Sequence, residues 1–502
     1  MKESFIAIIS PIILIIGGIL TSILFSKKKS IIISLSIFSL IAILINTWLL
    51  INGEIIYYPN INGILINYST AFILEVTYFI SFLAIIYSYH YFEDNKELRY
   101  FSLLFPLFIA TLSIMASSFN LLLIYVSFEA STILGGIIIL LTRRRSAVKA
   151  TMRFFLWSII GAILIIIGIL YQNYTIGNVI LNHGISYPEI ITILYAIGFG
   201  IKIGVFPFGL FWLPAAHSEA PTPMSAVLSG IMVQIAAFTT SRIIGIMSPF
   251  NTNIGLFLMI IGILSIITGS LLAMIESIYG SKYSRFHVGM VHIKGIKRIW
   301  AFSTCSEVGY FYLLIGLALI YPNLMLFFFS AILLHFLNHG LAKALLFFDS
   351  GFVIKTSRIA DLSLMKGLGR RVGWNGFTYL IGGFSLSLIP GTLGYNTFLE
   401  FIKGNINLEI MIIILISAIL IFFTTLYSFK IIVFGKPKIK IQYIKDIEEH
   451  LSLRIPGLIL AICIISLGIL VLLGSNGIFF TEYYHEFENW FKLIAKTICE
   501  VE

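Results

Sequence analysis

Five places in this sequence set a titratable side chain inside a run of apolar residues, where a charge is either paired or there to move charge. Glu129 lies in Leu-Leu-Leu-Ile-Tyr-Val-Ser-Phe-Glu-Ala, and Lys202 in Gly-Phe-Gly-Ile-Lys-Ile-Gly-Val-Phe-Pro, which ends at Pro207. A carboxylate and an ammonium, both stripped of water, form either a site that loads and releases a proton or a static ion pair that locks two helices. His335, His339 and Lys343 follow at i, i+4 and i+8, which stacks three titratable groups on one helical face at steps of about 6 Å. That is the geometry of a proton relay, though one of the two histidines in a purely structural role is an open alternative. Two histidines four apart can also ligate a metal, but a zinc hydrolase needs H-E-x-x-H and haem takes its histidines from two helices, so no metal is expected. Glu307 stands in Ser-Thr-Cys-Ser-Glu-Val-Gly among small polar residues, and Glu400 follows the segment Pro390-Gly-Thr-Leu-Gly394.

The elements that must position these groups are membrane spans. Of 502 residues, 59% are hydrophobic and 11% charged, where a soluble domain runs near 25% charged. A soluble protein is therefore excluded. Apolar windows of about 20 residues predict an all-α integral membrane protein of about fourteen transmembrane helices. They fall near 4–25, 31–51, 71–92, 101–118, 120–141, 152–171, 189–212, 222–247, 254–275, 299–320, 322–348, 374–402, 408–434 and 455–473. The first is too long for a cleaved signal.

Most of the 33 lysines and arginines fall in loops after odd-numbered spans, including Lys27, Lys28, Lys29, Arg143, Arg144, Arg145, Lys149 and Arg153; Arg242 and Lys403 are exceptions. Cytoplasmic loops collect such residues, so both termini are expected to face outward from the cell (plasma) membrane. The sequons at Asn67 and Asn173 read best as chance. No soluble domain interrupts the series. The polar segments 276–298, 349–373 and 435–454 are expected on the inner side, and the tail with Phe479, Tyr483, Phe487, Trp490 and Phe491 reads as an amphipathic surface helix. Three scattered cysteines (Cys305, Cys463, Cys499) with no C-x-x-C, and the lack of a phosphate loop or G-x-G-x-x-G (Gly198-Phe-Gly200 lies inside a membrane helix), point to no cofactor, no redox centre and no self-contained enzyme. The net charge of +10 reflects loop placement and not nucleic-acid binding.

Spans 7 and 12 each carry a break, at Pro207 and Pro390. They are an odd number of spans apart, so they cross in opposite directions. Paired broken helices are the trace of inverted repeats with ion sites at the breaks. The expected organisation is 1–100 (spans 1–3), 101–247 (first repeat, spans 4–8), 254–434 (second repeat, spans 9–13) and 435–502 (span 14 and tail).

In its motifs the chain resembles the antiporter-like subunits shared by respiratory complex I (NADH-quinone oxidoreductase), energy-converting membrane hydrogenases and multisubunit cation/proton antiporters. The most specific stretch runs from Lys202 through Trp212-Leu-Pro-Ala-Ala-His217-Ser-Glu-Ala-Pro221-Thr-Pro223 to Gly230, similar to the family's K…P…W-L-P-D-A-H-x-x-A-P-T-P-V-S-A-L-L-S-G. Lys297-Arg-Ile-Trp-Ala-Phe-Ser-Thr, the run from His339 through Lys343-Ala-Leu-Leu-Phe, and Phe434-Gly-Lys-Pro437 also match. The resemblance covers nearly the whole chain and implies fourteen helices with two inverted five-helix units and broken helices 7 and 12. It implies a proton path through Glu129, Lys202, His335, His339 and Lys343, with His217 as a further candidate. Two positions depart from the family: Gln234 replaces the usual Lys or His of span 8, and Phe398 stands where span 12 usually has Lys or Glu, with Glu400 two residues later.

Three functions remain open on this reading. The first is a proton-translocating subunit of a respiratory quinone-type or hydrogenase-type complex, whose redox centres sit in a peripheral arm and other membrane subunits on separate chains. The second is a subunit of a cation (Na+)/proton antiporter, which shares the fold. The third is a non-conducting anchor, motivated by Gln234 and Phe398. A chain ending this soon after span 14 is not expected to be the family member that carries a long lateral helix.

Overall fold

A computed structural model describes residues 6–52, 56–58, 63–182, 184–282, 295–362, 364–404, 406–435, 450–475 and 496. Uninterrupted apolar runs become helices because in lipid only a helix satisfies its backbone groups within one segment. The first six are α1 (Ile6–Leu24), α2 (Lys28–Asn52), α3 (Tyr68–Tyr91), α4 (Asn95–Ser117), α5 (Leu121–Leu140) and α6 (Arg145–Ile176). Asn67, Asp94 and Asn120 cap α3, α4 and α5, each accepting from a backbone N–H of the first turn. Next come α7 (Glu189–Ile203), α8 (Gly209–Glu219), α9 (Thr222–Val227) and α10 (Val233–Met247), with a π-helical turn at Leu228–Met232 joining the last two. The second half holds α11 (Thr252–Lys282), α12 (Ile296–Ile320), α13 (Met325–Ser357), the single turn α14 (Gly369–Val372), α15 (Trp374–Leu386), α16 (Gly394–Lys403), α17 (Leu408–Val433) and α18 (Leu451–Ser475).

Among the described residues, eleven helical segments are long and apolar enough to cross a membrane, and the apolar stretch of α1 is shorter. The two other expected spans, near 189–212 and 374–402, are each divided into two helices. α7 stops at Gly204, whose φ of 94° is left-handed, a conformation glycine adopts without the Cβ penalty. Pro207 follows in the gap before α8, and α15 and α16 are separated by 387–393, with Pro390 inside.

Four features differ from the expectation. A short antiparallel ribbon, β1 (Ile56–Tyr58) with β2 (Ile64–Ile66), occupies the link between the second and third spans; these β-prone triplets are too short for a helix and Gly63 at φ 80° starts the return strand. Residues 276–282 belong to α11 and 349–357 to α13, so these polar segments begin later than hydropathy suggests. Glu276 near the end of α11 and Arg298 in the first turn of α12 are buried and lie 3.5 Å apart, so each charge has a counter-charge inside the fold. Arg242 belongs to no loop: it is fully buried in α10 and donates to the Ala116 and Ser118 carbonyls at 2.8 and 2.7 Å, answering acceptors that the end of α4 leaves open. His287, His292, Lys436 to Glu449 and the aromatic tail lie outside the described residues.

Close packing places the centre. α11 meets α12 along Gly255, Gly262 and Gly269, and a Cβ at Gly262 would fall 2.5 Å from the Leu313 backbone N. Small residues let two backbones approach this closely. The segment Thr222–Met247 is wholly enclosed and Ile296–Ile320 nearly so, whereas α2, α6, α11, α17 and α18 present most of their length outward. The enclosed helices α10, α12 and α13, with the π-helical turn before α10, carry the second of the two polar clusters described below.

Candidate functional site

The first cluster sits where α7 breaks. Lys202, in the last turn of α7, is buried and pairs with Glu129 of α5, while its ammonium lies 4.1 Å from the Phe128 ring centroid. The lysine side chain is 1% exposed and the glutamate 25%, so the pair is open on its carboxylate side only. The break itself is tied to the second half: the Phe206 N–H donates to Ser265 Oγ at 3.1 Å, and that hydroxyl donates to the Cys305 carbonyl at 2.7 Å. An amide freed by the interrupted helix is thus satisfied by α11, which in turn holds α12.

The second cluster runs along α13. His335, His339 and Lys343 are all buried, as their spacing on one helix requires if that face is inward. His335 Nε2 donates to the Glu307 carbonyl at 2.9 Å and lies 3.7 Å from the Glu307 carboxylate. The His335 and His339 rings stand 5.8 Å apart. His339 Nε2 donates to the Ser229 carbonyl at 3.2 Å, within the π-helical turn, a distortion common where a helix serves a site. Lys343 donates to the Trp300 carbonyl at 3.0 Å and to the Ser303 hydroxyl. A hydroxyl bridge of 2.7 Å between Ser229 and Thr304 joins the same two neighbouring elements.

The remaining candidates surround this row. His217 of α8 is buried with its ring 5.8 Å from Phe347 of α13. Gln234 is fully buried in α10 and donates to the Gly230 carbonyl of its own helix at 2.6 Å, so it stands beside the row without a bond to any member of it. Glu400 in α16 is buried and pairs with Lys403 at 3.0 Å; its neighbour Phe401 stacks on Tyr310, which in turn lies 5.0 Å from His335. At the second break the Gly394 N–H donates to Ser385 Oγ at 3.2 Å, and that hydroxyl donates to Asn338 Oδ1 at 2.6 Å. Each break therefore has a freed amide caught by a serine and passed on to another element.

Glu307, His335 and His339 bring three potential ligand atoms within 4.8 Å of one another. Both Nε2 atoms already donate to carbonyls, which leaves only the Nδ1 atoms as metal ligands. The arrangement as it stands suits proton exchange between neighbours.

Three further charges lie within the fold, Glu75 half-buried and Lys297 and Asp349 buried, and none is among the expected site residues. Glu75 of α3 accepts from Asn46 and Thr47 of α2 at 2.8 and 2.9 Å. Lys297 donates to the Ala220 carbonyl at 2.9 Å, and Asp349 is fully buried in α13. Glu75 and Asp349 follow the rule that exposed the others, an ionisable residue amid apolar ones, and were findable by it.

Two interrupted helices around carboxylate, lysine and histidine groups, in a bundle of long apolar helices, are the architecture of an antiporter-like membrane subunit. The sequence matches the family model described as "NADH:quinone oxidoreductase/Mrp antiporter, TM" over residues 118–279 and 287–424. The chain belongs to this family, the antiporter-like membrane subunits of complex I, membrane hydrogenases and Mrp antiporters, and is a multi-pass integral membrane protein. It is 27% identical over 342 residues to hydrogenase-4 component B of Escherichia coli K12, covering 65% of this chain and 48% of that protein. It is 28% identical over 455 residues to NADH-ubiquinone oxidoreductase chain 5 of Dictyostelium discoideum, covering 84% and 62%. The chain thus spans about half to two thirds of the length of these relatives. Its fold is similar to that of a chain in the Mrp complex from Dietzia sp. DQ12-45-1b, with a TM-score of 0.81 at 17% identity, covering 100% of this chain and 98% of the other. A chain of the archaeal membrane-bound sulfane sulfur reductase gives 0.80 at 20% identity with the same coverage.

Proposed function

We propose that this chain is a proton-translocating membrane subunit of a respiratory quinone-type or hydrogenase-type complex in the cell membrane, driven by electron transfer that takes place in other chains. The observation that carries the reading is the Lys202–Glu129 pair at the end of a broken helix. An ammonium stripped of water holds its proton only as firmly as its counter-charge is near, so changing the separation of the pair changes proton retention. The row Lys343, His339, His335 and Glu307 supplies groups that pass a proton onward, with His217, Gln234 and Glu400 at its margins. The relatives named for a hydrogenase and for an NADH-ubiquinone oxidoreductase support the redox-driven form.

On this reading the molecule has fourteen spans, with α7/α8 and α15/α16 counted as one broken span each. Two inverted five-helix units cover 101–247 and 254–434, flanked by 1–100 and 435–502, and both termini face outward. The matched pair of breaks, each with its serine-caught amide, supports the inversion. The similarity to an Mrp chain favours a second reading, a cation/proton antiporter subunit working on an ion gradient alone. The test is proton uptake by proteoliposomes holding the parent complex with Lys202→Ala or Glu129→Ala. Loss of uptake driven by electron donor supports the first reading, and loss of uptake driven only by an imposed cation gradient supports the second. Unchanged uptake in both variants contradicts both and leaves a non-conducting anchor.

A further inference from the structure

Asp349 is a buried carboxylate that the path just described does not use. It lies on α13, six residues beyond Lys343, which is about 9 Å further along the helix toward the α13 C-terminal end. It is fully buried. Its two oxygens accept from different neutral donors, Asn375 Nδ2 at 2.6 Å and Thr378 Oγ1 at 2.7 Å, both on α15. Among the described residues no Lys, Arg or His nitrogen pairs with it. The titratable groups that face it are Tyr87 of α3, whose hydroxyl donates to the Phe348 carbonyl at 3.0 Å, and Tyr379 of α15. On α18, Gly457 leaves room beside it, since a Cβ there would fall 3.0 Å from Asp349 Oδ1, and Arg454 packs over Phe352 at 4.9 Å.

This environment differs from a structural lock. A carboxylate locked into a fold is usually paired with a cation, and removing a proton carrier from such a pair is costly. Neutral amide and hydroxyl donors hold the group in place while leaving it free to take or give a proton. The donors also sit near the outer surface of the molecule, at the start of the expected span 374–402. Asn375 is the second residue of α15, next to Trp374, which is 71% exposed, and two before Phe377, which is 69% exposed. In the other direction Tyr379, adjacent to Thr378, packs edge-on against Trp300 at 5.4 Å, and the Trp300 carbonyl accepts from Lys343.

We propose that Asp349 is a proton-carrying group that links the aqueous face at the start of α15 to Lys343, as a side entry to the path. The proposal rests on the translocating function above. In the step envisaged, Asp349 accepts a proton from water admitted beside Asn375 and later releases that same proton toward Lys343, with no bond to carbon or change of redox state involved.

The experiment uses the parent complex in proteoliposomes with Asp349→Asn, Asp349→Glu and, as reference, Lys202→Ala. Asparagine keeps the shape and an acceptor for Thr378 but carries no proton. The expected result is a fall in proton uptake of about tenfold for Asp349→Asn with assembly intact, and recovery of most of it in Asp349→Glu. In parallel, infrared difference spectra taken between acid and neutral pH should show a carboxyl band in the unsubstituted complex that Asp349→Asn lacks. Normal uptake in Asp349→Asn beside lost uptake in Lys202→Ala overturns this proposal and spares the translocating function. Normal uptake in both overturns both. If Asp349→Asn does not assemble, the Asp349→Glu spectrum decides: a titrating carboxyl band shifted from its original position supports the proposal, and an unshifted spectrum overturns it.

Discussion

Gly161 offers a way to disturb the Lys202 site without touching a charge. α6 and α7 meet at Gly161 and Gly198, and a Cβ at position 161 would fall 2.6 Å from the Gly198 carbonyl oxygen and 2.8 Å from Lys202 Cγ. Ordinary contact begins at 3.4 Å, so Gly161→Ala must part the two helices locally by about 0.6–0.8 Å, because a carbonyl oxygen in a helix cannot swing away. Overpacking of this kind costs about 1–3 kcal/mol, and the better helix propensity of alanine returns about 1 kcal/mol. The net loss of stability is therefore about 0–2 kcal/mol. Transport should suffer more. The last turn of α7 carries Lys202, and a shift of that size weakens a charge-assisted hydrogen bond worth about 1.5–3 kcal/mol, so proton uptake should fall about tenfold. Gly376→Ala is the control, since its nearest neighbour would be 3.4 Å away. Thermal unfolding of the detergent-solubilised complex and proton uptake in proteoliposomes give the two numbers. Gly161→Ala indistinguishable from Gly376→Ala in both would refute the claim that this helix contact sets the geometry of the pair.

Arg242→Met keeps the bulk of the side chain but abandons the Ala116 and Ser118 carbonyls; it should lower stability by about 2–5 kcal/mol, read as a lower thermal midpoint with little change in uptake per assembled complex. Gly262→Val forces a side chain against the Leu313 N and Gly309 O backbone atoms at 2.5 and 2.7 Å, and at about 3 kcal/mol or more it should abolish accumulation of the chain in membranes. Glu93→Gln removes an ion pair of 2.7 Å with Lys355, which holds Glu93 below the usual carboxylate range. Because the folded value is depressed, its stabilisation is present above the unfolded pKa and is lost as pH falls through the folded one; with Glu93 mostly exposed it amounts to under about 0.5 kcal/mol, so unfolding curves of variant and unsubstituted chain should coincide from neutral pH downward.

The sequence made the long spans legible because lipid imposes a single solution on a charge-free run of twenty residues. It also made Glu129, Lys202 and the α13 row legible, since an ionisable residue among leucines has few cheap explanations. The break positions were legible through Pro207 and Pro390, but the serines that catch the freed amides, Ser265 and Ser385, were not, because serine is common in membrane helices and only its neighbours across the fold give it a role. Helix ends misled where charges are satisfied internally. Arg242, Lys297 and Arg298 read as loop residues by charge, yet each is buried against a carbonyl or a carboxylate. Asp349 likewise reads from the sequence as the first residue of a polar loop, although α13 runs on past it to Ser357.

The central claim is that the Lys202 site and the α13 row are one path in series. The measurement that tests it most directly is the number of protons taken up per electron pair by the reconstituted parent complex carrying Lys202→Met, Lys343→Met, or both. In a series path each single change removes the contribution of this chain and the double change removes no more. A double variant that loses twice what either single variant loses, or single variants with the full proton count, would contradict the account.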